Sequence, residues 1–209
     1  MTGASLHDAT VEELFVRSGA LLDGHFLLKS GRHAGRYLEK FLVLQHPAFG
    51  VELCRRFAEA LRPYAPTLVI GPTTGGVLLS FETARQLGAP ARAAFAEPTS
   101  TGARSLRRGW KIERDERVAV VDDILTTGAS LAETVEAVRA AGVGPVAAAV
   151  MVDRSTEPVE LGFPLHVLGR IEVPSWESDA CPLCADSVPL RKPGSSEPTP
   201  SSPIRRRHR

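Results

Sequence analysis

The sequence predicts an α/β protein: a central parallel sheet flanked by helices, with a small N-terminal hood. Three observations carry this. Short apolar runs recur at residues 68–70, 91–96, 118–121 and 146–152, too brief for helices and bounded by loops, as buried strands are. Helical stretches over 77–87 and 130–141 alternate with them, and each stops at a glycine, Gly88 and Gly142. Strand, loop and helix repeated in that order require crossover connections, which make neighbouring strands parallel.

In chain order, Thr10-Val11-Glu12-Glu13 is a capping box: the Thr10 hydroxyl can accept from the Glu13 N–H while the Glu13 carboxylate reaches back. The helix it opens puts Val11, Leu14 and Phe15 on one face and should stop near Gly19. Residues 25–28 and 37–44 read as two strands around the turn Ser30-Gly31-Arg32-His33-Ala34-Gly35. Pro47 begins a helix through Val51, Cys54, Phe57, Ala58 and Leu61, and residues 97–109 read as a polar loop. One domain is expected over 1–190, its hood formed mainly by 1–45 and 160–190. Residues 191–209 are expected to be a disordered, basic, Pro/Ser-rich tail, because such a composition cannot bury a core.

Hydrophobic residues make up 43% of the 209 and charged residues 23%, which describes an ordinary globular chain with room for a proper core. No apolar run approaches the roughly 20 residues of a membrane span. Residues 1–8 have neither a basic cluster nor an apolar signal core, so a cytoplasmic location is expected. The formal charge of +1 becomes −3 without the terminal arginines 205, 206, 207 and 209, so the body is mildly acidic. That argues against nucleic-acid and membrane partners for the folded part.

The chemistry concentrates at Val118-Ala119-Val120-Val121-Asp122-Asp123-Ile124-Leu125-Thr126-Thr127-Gly128-Ala129-Ser130. A buried strand ends in two carboxylates, where open α/β sheets place their ligands. Thr126, Thr127, Gly128, Ala129 and Ser130 then offer hydroxyls and consecutive backbone N–H groups at a helix N-terminus, a ready anion site. A second loop of this kind, Gly71-Pro72-Thr73-Thr74-Gly75-Gly76, follows the 68–70 strand. Two glycines there let the backbone approach a ligand closely. Paired, the loops suit the two anionic ends of an activated sugar phosphate.

These loops resemble those of the type I phosphoribosyltransferases, which use 5-phosphoribosyl 1-diphosphate (PRPP). The segment Gly24-His25-Phe26-Leu27-Leu28-Lys29-Ser30-Gly31-Arg32, together with Phe95-Ala96-Glu97, Leu106-Arg107-Arg108-Gly109-Trp110 and Cys181-Pro182-Leu183-Cys184, resembles the orotate phosphoribosyltransferases in colinear order over roughly 11–195. The resemblance implies the type I phosphoribosyltransferase fold. It also implies transfer of phosphoribosyl from PRPP to orotate, giving orotidine 5′-monophosphate and diphosphate, a step of pyrimidine synthesis.

Carried over residue by residue, it implies that Lys29 reaches PRPP and the base and that Tyr37 lies beside the orotate ring. Thr74 and Gly75 would bind the diphosphate. Asp122, Asp123, Ile124, Leu125, Thr126, Thr127, Gly128, Ala129 and Ser130 would hold the phosphoribosyl group. Thr126 would also touch orotate, and Arg154 would meet the orotate carboxylate, a task suited to its planar fork. Asp122 and Asp123 would favour a cationic ribose in the transition state. Mg²⁺ would be held mainly by PRPP and water rather than by protein side chains. A homodimer sharing its lid between subunits is implied too.

The chain departs from the pattern twice. Gly75 stands where many relatives carry lysine, and Pro98 follows Phe95-Ala96-Glu97 where they supply Arg or Lys. Arg104 is therefore the expected lid cation, delivered to the partner subunit's site. A transferase for another base, or a non-catalytic PRPP sensor, is the alternative. Cys181 and Cys184 have metal-ligand spacing but supply only two of the usual four ligands. They read as a packed structural pair, a redox pair, or half a metal site completed from elsewhere. His25, His33 and His46 match no metal constellation and read as turn or surface residues.

Overall fold

Thr10 caps α1 (Val11–Arg17) as its sequence requires: its hydroxyl accepts from the Glu13 N–H at 3.2 Å and the Glu13 carboxylate accepts from the Thr10 N–H at 2.6 Å. The computed structural model describes residues 5–28 and 30–193. After α1 come β1 (Leu21–Leu27), β2 (His33–Leu38), α2 (Lys40–Leu44) and α3 (Pro47–Leu61). The expected strand over 37–44 thus stops at Leu38 and gives way to a short helix. The Glu39 side chain accepts from the Phe41 N–H at 3.3 Å, and Val43 and Leu44 turn inward together. Adjacent buried residues fit a helix and not an alternating strand, and so short an apolar run does not by itself distinguish the two.

The alternating part follows: β3 (Leu68–Pro72), α4 (Gly75–Leu87), β4 (Arg92–Pro98), β5 (Arg104–Leu106), β6 (Val118–Leu125), α5 (Ala129–Ala140), β7 (Pro145–Asp153) and β8 (Leu165–Arg170). The expected polar loop over 97–109 is in part a hairpin. The Thr99 N–H donates to the Ala103 carbonyl at 2.7 Å, Gly102 turns at φ +86°, and β5 pairs antiparallel with β4. Strand β8 carries no strong apolar run, so it was not among the expected strands.

The sheet runs β5-β4-β3-β6-β7-β8, every pairing parallel except β4 with β5. From β3 the chain moves outward to β4, and from β6 it moves the other way to β7. Right-handed crossovers therefore put α4 and α5 on opposite faces. Alternate residues serve those faces. Leu68, Ile70, Val118, Val120, Ala148 and Val150 pack with Leu131, Val135 and Val138 of α5. Val69, Ala119, Val121, Ala149 and Met151, equally buried, point the other way.

The chain divides into two compact units. The first runs to Leu22 and resumes over Leu38–Glu172; the second comprises Asp23–Tyr37 and the chain from Val173. The second unit is narrower than the hood expected from 1–45 and 160–190. It contains a four-stranded sheet, β10-β1-β2-β9, with β9 at Ser175–Trp176 and β10 at Leu190–Arg191. The one-turn α6 (Pro182–Ala185) lies between those strands in sequence. β10 pairs parallel with β1, His25 opposite Leu190, so ordered structure continues past 190, where the tail was expected to begin. Most of the expected tail, 194–209, lies outside the described residues. Among the described residues no helix is long and apolar enough to cross a membrane.

Candidate active site

The switch point of the first unit's sheet lies between β3 and β6, and both loops singled out in the sequence leave it. In open α/β sheets the crevice at that point is the ligand site. Asp122 and Asp123 lie within the carboxyl-terminal half of β6, which runs two residues further than the acids to Leu125 instead of ending at them, and they are only 5% and 4% exposed. The Asp123 N–H donates to the Asp122 Oδ1 at 2.8 Å, and the Ile124 N–H donates to the Asp123 Oδ1 at 2.8 Å. Burial raises the Asp122 carboxyl well above its ordinary value, and the neighbouring Asp123 charge adds to this.

Lys40 is the functional candidate that the sequence reading missed. Its Nζ donates to Asp123 Oδ1 at 2.9 Å and approaches Oδ2 at 2.7 Å. The residue sits at the first position of α2, in the stretch read as a strand, so nothing in the sequence pointed it toward the acids. Gly75 lies at the same place. A Cβ there would come within 2.2 Å of Asp123 Oδ2, so any side chain at 75 would displace the carboxylate that Lys40 holds. The other glycine of the loop has a different reason from the one expected. A Cβ on Gly76 would meet the Gly71 carbonyl carbon at 2.7 Å, so it allows backbone to approach backbone.

The phosphate-type loop lines a cavity of about 290 Å³ with Asp122, Ile124, Leu125, Thr126, Thr127, Gly128, Ala129 and Ser130. Gly128 caps α5 in the left-handed region at φ +77°, and a Cβ would lie 2.9 Å from Val159 Cγ1. The N-cap Gly128 offers no side-chain cap, and of the first amides of α5 the Ala129 N–H reaches the Thr127 hydroxyl at 3.4 Å, so it is the following amides that are open to an anion. Thr74 likewise precedes α4 with no side-chain cap. The Arg154 N–H donates to the Leu125 carbonyl at 2.9 Å, which places Arg154 beside the start of this loop.

Arg104 lies on β5 with its guanidinium turned back onto its own chain. Its Nη1 is 3.4 Å from both the carbonyl and the hydroxyl of Thr73, and its Nε is 3.3 Å from Glu133 Oε2. The Arg108 guanidinium pairs instead with Glu97 at 2.8 Å. Tyr37 belongs to the second unit, on β2, its ring centroid 5.7 Å from that of Phe26. Lys29 lies outside the described residues.

His25 and His33, read as turn or surface residues, are only 2% and 6% exposed, on β1 and β2. Strand alternation turns both into the second unit, where they meet Cys181 and Cys184.

Residues 43–180 match the family model of the phosphoribosyl transferase domain. The chain is 46% identical over 182 residues to the orotate phosphoribosyltransferase of Pelotomaculum thermopropionicum, covering 87% of this chain and 94% of that one. It is 38% identical over 185 residues to that of Thermotoga maritima, covering 88% and 97%. Among solved structures it is similar to the orotate phosphoribosyltransferase of Aeropyrum pernix, with a TM-score of 0.62 and 27% identity, covering 78% of this chain and 94% of that one.

Proposed function

The chain belongs to the phosphoribosyl transferase family, among its orotate phosphoribosyltransferases, and from that membership we propose how its own residues carry the reaction. The reaction transfers phosphoribosyl from PRPP to orotate, giving orotidine 5′-monophosphate and diphosphate. Its transition state carries positive charge on the ribose ring, and no covalent enzyme intermediate is needed. Catalysis then rests on positioning and electrostatics.

The observation that carries the reading is the buried pair Asp122 and Asp123 at the switch point, between two uncapped helix N-termini. The amides of 126–130 take the 5-phosphate, and Thr74 and Gly75 take the diphosphate. The two carboxylates hold the ribose hydroxyls and favour the cationic ring, while Lys40 pairs with Asp123 and aims it. Arg104, which lies 3.4 Å from the Thr73 carbonyl and hydroxyl, supplies positive charge to the leaving diphosphate. Lys29, Tyr37, Thr126 and Arg154 bind orotate by their match to the family's positions, supported for Arg154 by its bond to Leu125.

Carboxylate oxygens are hard donors and suit Mg²⁺, so Asp122 and Asp123 would be the residues nearest an ion held mainly by PRPP and water. When bound, the ion supplies charge neutralisation at the diphosphate.

The test is the loss of orotate absorbance on mixing with PRPP and Mg²⁺. Wild type should turn over, and the variant Asp122→Asn with Asp123→Asn should lose on the order of 10²-fold or more in kcat. Arg104→Ala should lower kcat by about 10²-fold as well. Normal turnover in the double aspartate variant would defeat the mechanism, and unchanged turnover in Arg104→Ala would remove that residue from it.

A further inference from the structure

The second unit brings four ligand-type side chains to one point. His25 lies on β1, His33 on β2, Cys181 at the N-cap of α6 and Cys184 within it. Their ligand atoms all lie within 4.8 Å of one another. His25 Nε2 is 2.9 Å from His33 Nδ1, 3.5 Å from Cys181 Sγ and 3.8 Å from Cys184 Sγ. Cys184 Sγ is 3.2 Å from His33 Nδ1. We propose that these four side chains hold a structural Zn²⁺ ion.

The distances fit. Around a tetrahedral zinc with Zn–N near 2.0–2.1 Å and Zn–S near 2.3 Å, ligand atoms stand roughly 3.3–3.8 Å apart. The His25–His33 and His33–Cys184 pairs must open by a few tenths of an ångström, and the widest separation, up to 4.8 Å, must close by roughly 1 Å, which side-chain rotation can supply. Two thiolates and two imidazoles are a donor set for zinc rather than for the hard Mg²⁺ of the transfer reaction. Four protein ligands close the coordination sphere and leave no position for water or substrate, so the ion is structural.

The tautomer of His25 is set for this role. Its Nδ1 lies 2.8 Å from the Val188 carbonyl, which can only accept, so Nδ1 carries the proton and Nε2 faces the cysteines with its lone pair. The turn Cys181-Pro182-Leu183-Cys184 is closed by the Cys184 N–H donating to the Cys181 carbonyl at 3.2 Å, which sets both sulfurs toward the histidines. Both cysteines are free thiols.

The second unit also has need of such a clip. Of the buried apolar side chains, only Phe26, Ala34 and Cys181 belong to it among the described residues. So small a core commonly depends on a metal or a disulfide. The ion would join residues 151 positions apart in the chain, where loop closure contributes most.

This proposal is independent of the transferase reading, and its readout is metal content. The full chain, purified without a polyhistidine tag and desalted, should carry about one zinc per chain by mass spectrometry of the element. Replacement by Co²⁺ should give the visible and near-ultraviolet bands of tetrahedral thiolate-bound cobalt. Cys184→Ser should weaken zinc binding by about 100-fold or more. Cys54→Ser, in α3 of the first unit, should leave it unchanged. Because losing the buried Cys181 can unfold the unit, the wild-type cobalt spectrum and the variant at the exposed Cys184 keep the test separate from folding. No zinc above background after incubation with the metal, an octahedral cobalt spectrum, or unchanged affinity in Cys184→Ser would each overturn the proposal. A Cys181–Cys184 disulfide in protein kept under reductant would do so too.

Discussion

Asp122 and Asp123 put stability and function in opposition. Two adjacent carboxylates in a nearly dry strand repel one another, and the one Lys40 ammonium bonds Asp123 directly while only partly offsetting the penalty at Asp122. Burial and the Asp123 charge raise Asp122 above its ordinary 3.8, so the folded chain holds that proton to higher pH than the unfolded chain. Stability therefore falls as pH rises from the ordinary value toward the raised one, and the full penalty is present above both. Asp122→Asn removes it. Thermal scans should find this variant a few degrees more stable than wild type at pH 8 but not at pH 4, even as its turnover drops. A lower melting temperature at pH 8 would contradict the electrostatic account. Gly75 belongs to the same cluster. Gly75→Ala must push Asp123 away from Lys40, at a cost of about 1–3 kcal/mol. Added to Lys40→Ala, it should cost clearly less than the two single effects combined, because both break one contact. Strict additivity in denaturant melts would separate the two residues.

At the level of elements, α3 ties the start of the chain to the body. Glu52 is buried on it and accepts from Arg55 and Arg56 at 2.8 Å. Arg56 in turn donates to the carbonyls of Leu6, His7 and Ala9 just before α1. The Arg55 hydrogen bond leads the interactions that lower Glu52 from its ordinary 4.5 to about 2. A depressed carboxylate contributes stability that is full above its unfolded value and is lost as pH falls through its folded one. Wild type should therefore lose this contribution between about pH 4.5 and about pH 2. Glu52→Gln should cost about 2 kcal/mol at pH 7, and the gap from wild type should close toward pH 2. A constant gap across that range would refute the assignment. The capping box of α1 and the glycine stop of α4 were readable because each depends on residues within four positions. The helix α2 and the β4–β5 hairpin were not, because burial of Val43 and Leu44 and pairing to β4 decide them.

At the level of the whole molecule, α3 and α4 leave an apolar face. A cavity of about 360 Å³ there is lined by Val51, Val77, Leu78 and Phe81, and Phe81 is 66% exposed. Exposed apolar faces of this kind are common at contact surfaces, and we propose this one as the seam of the homodimer that the family resemblance implies. Phe81→Glu should shift the protein from dimer to monomer in sedimentation, with thermal stability of the monomer little changed. A dimer that persists would move the interface elsewhere.

The sequence alone determined the parallel sheet, both phosphate-type loops, the tandem acids and their order, because strand runs and loop chemistry are written in adjacent residues. Only the tertiary structure decided that Lys40 meets Asp123, that Gly75 makes room for that pair, and that Arg104 turns back to Thr73. It also decided that two histidines and two cysteines converge. Each of these joins residues tens of positions or more apart, and a distance across space is set by packing that no local pattern encodes.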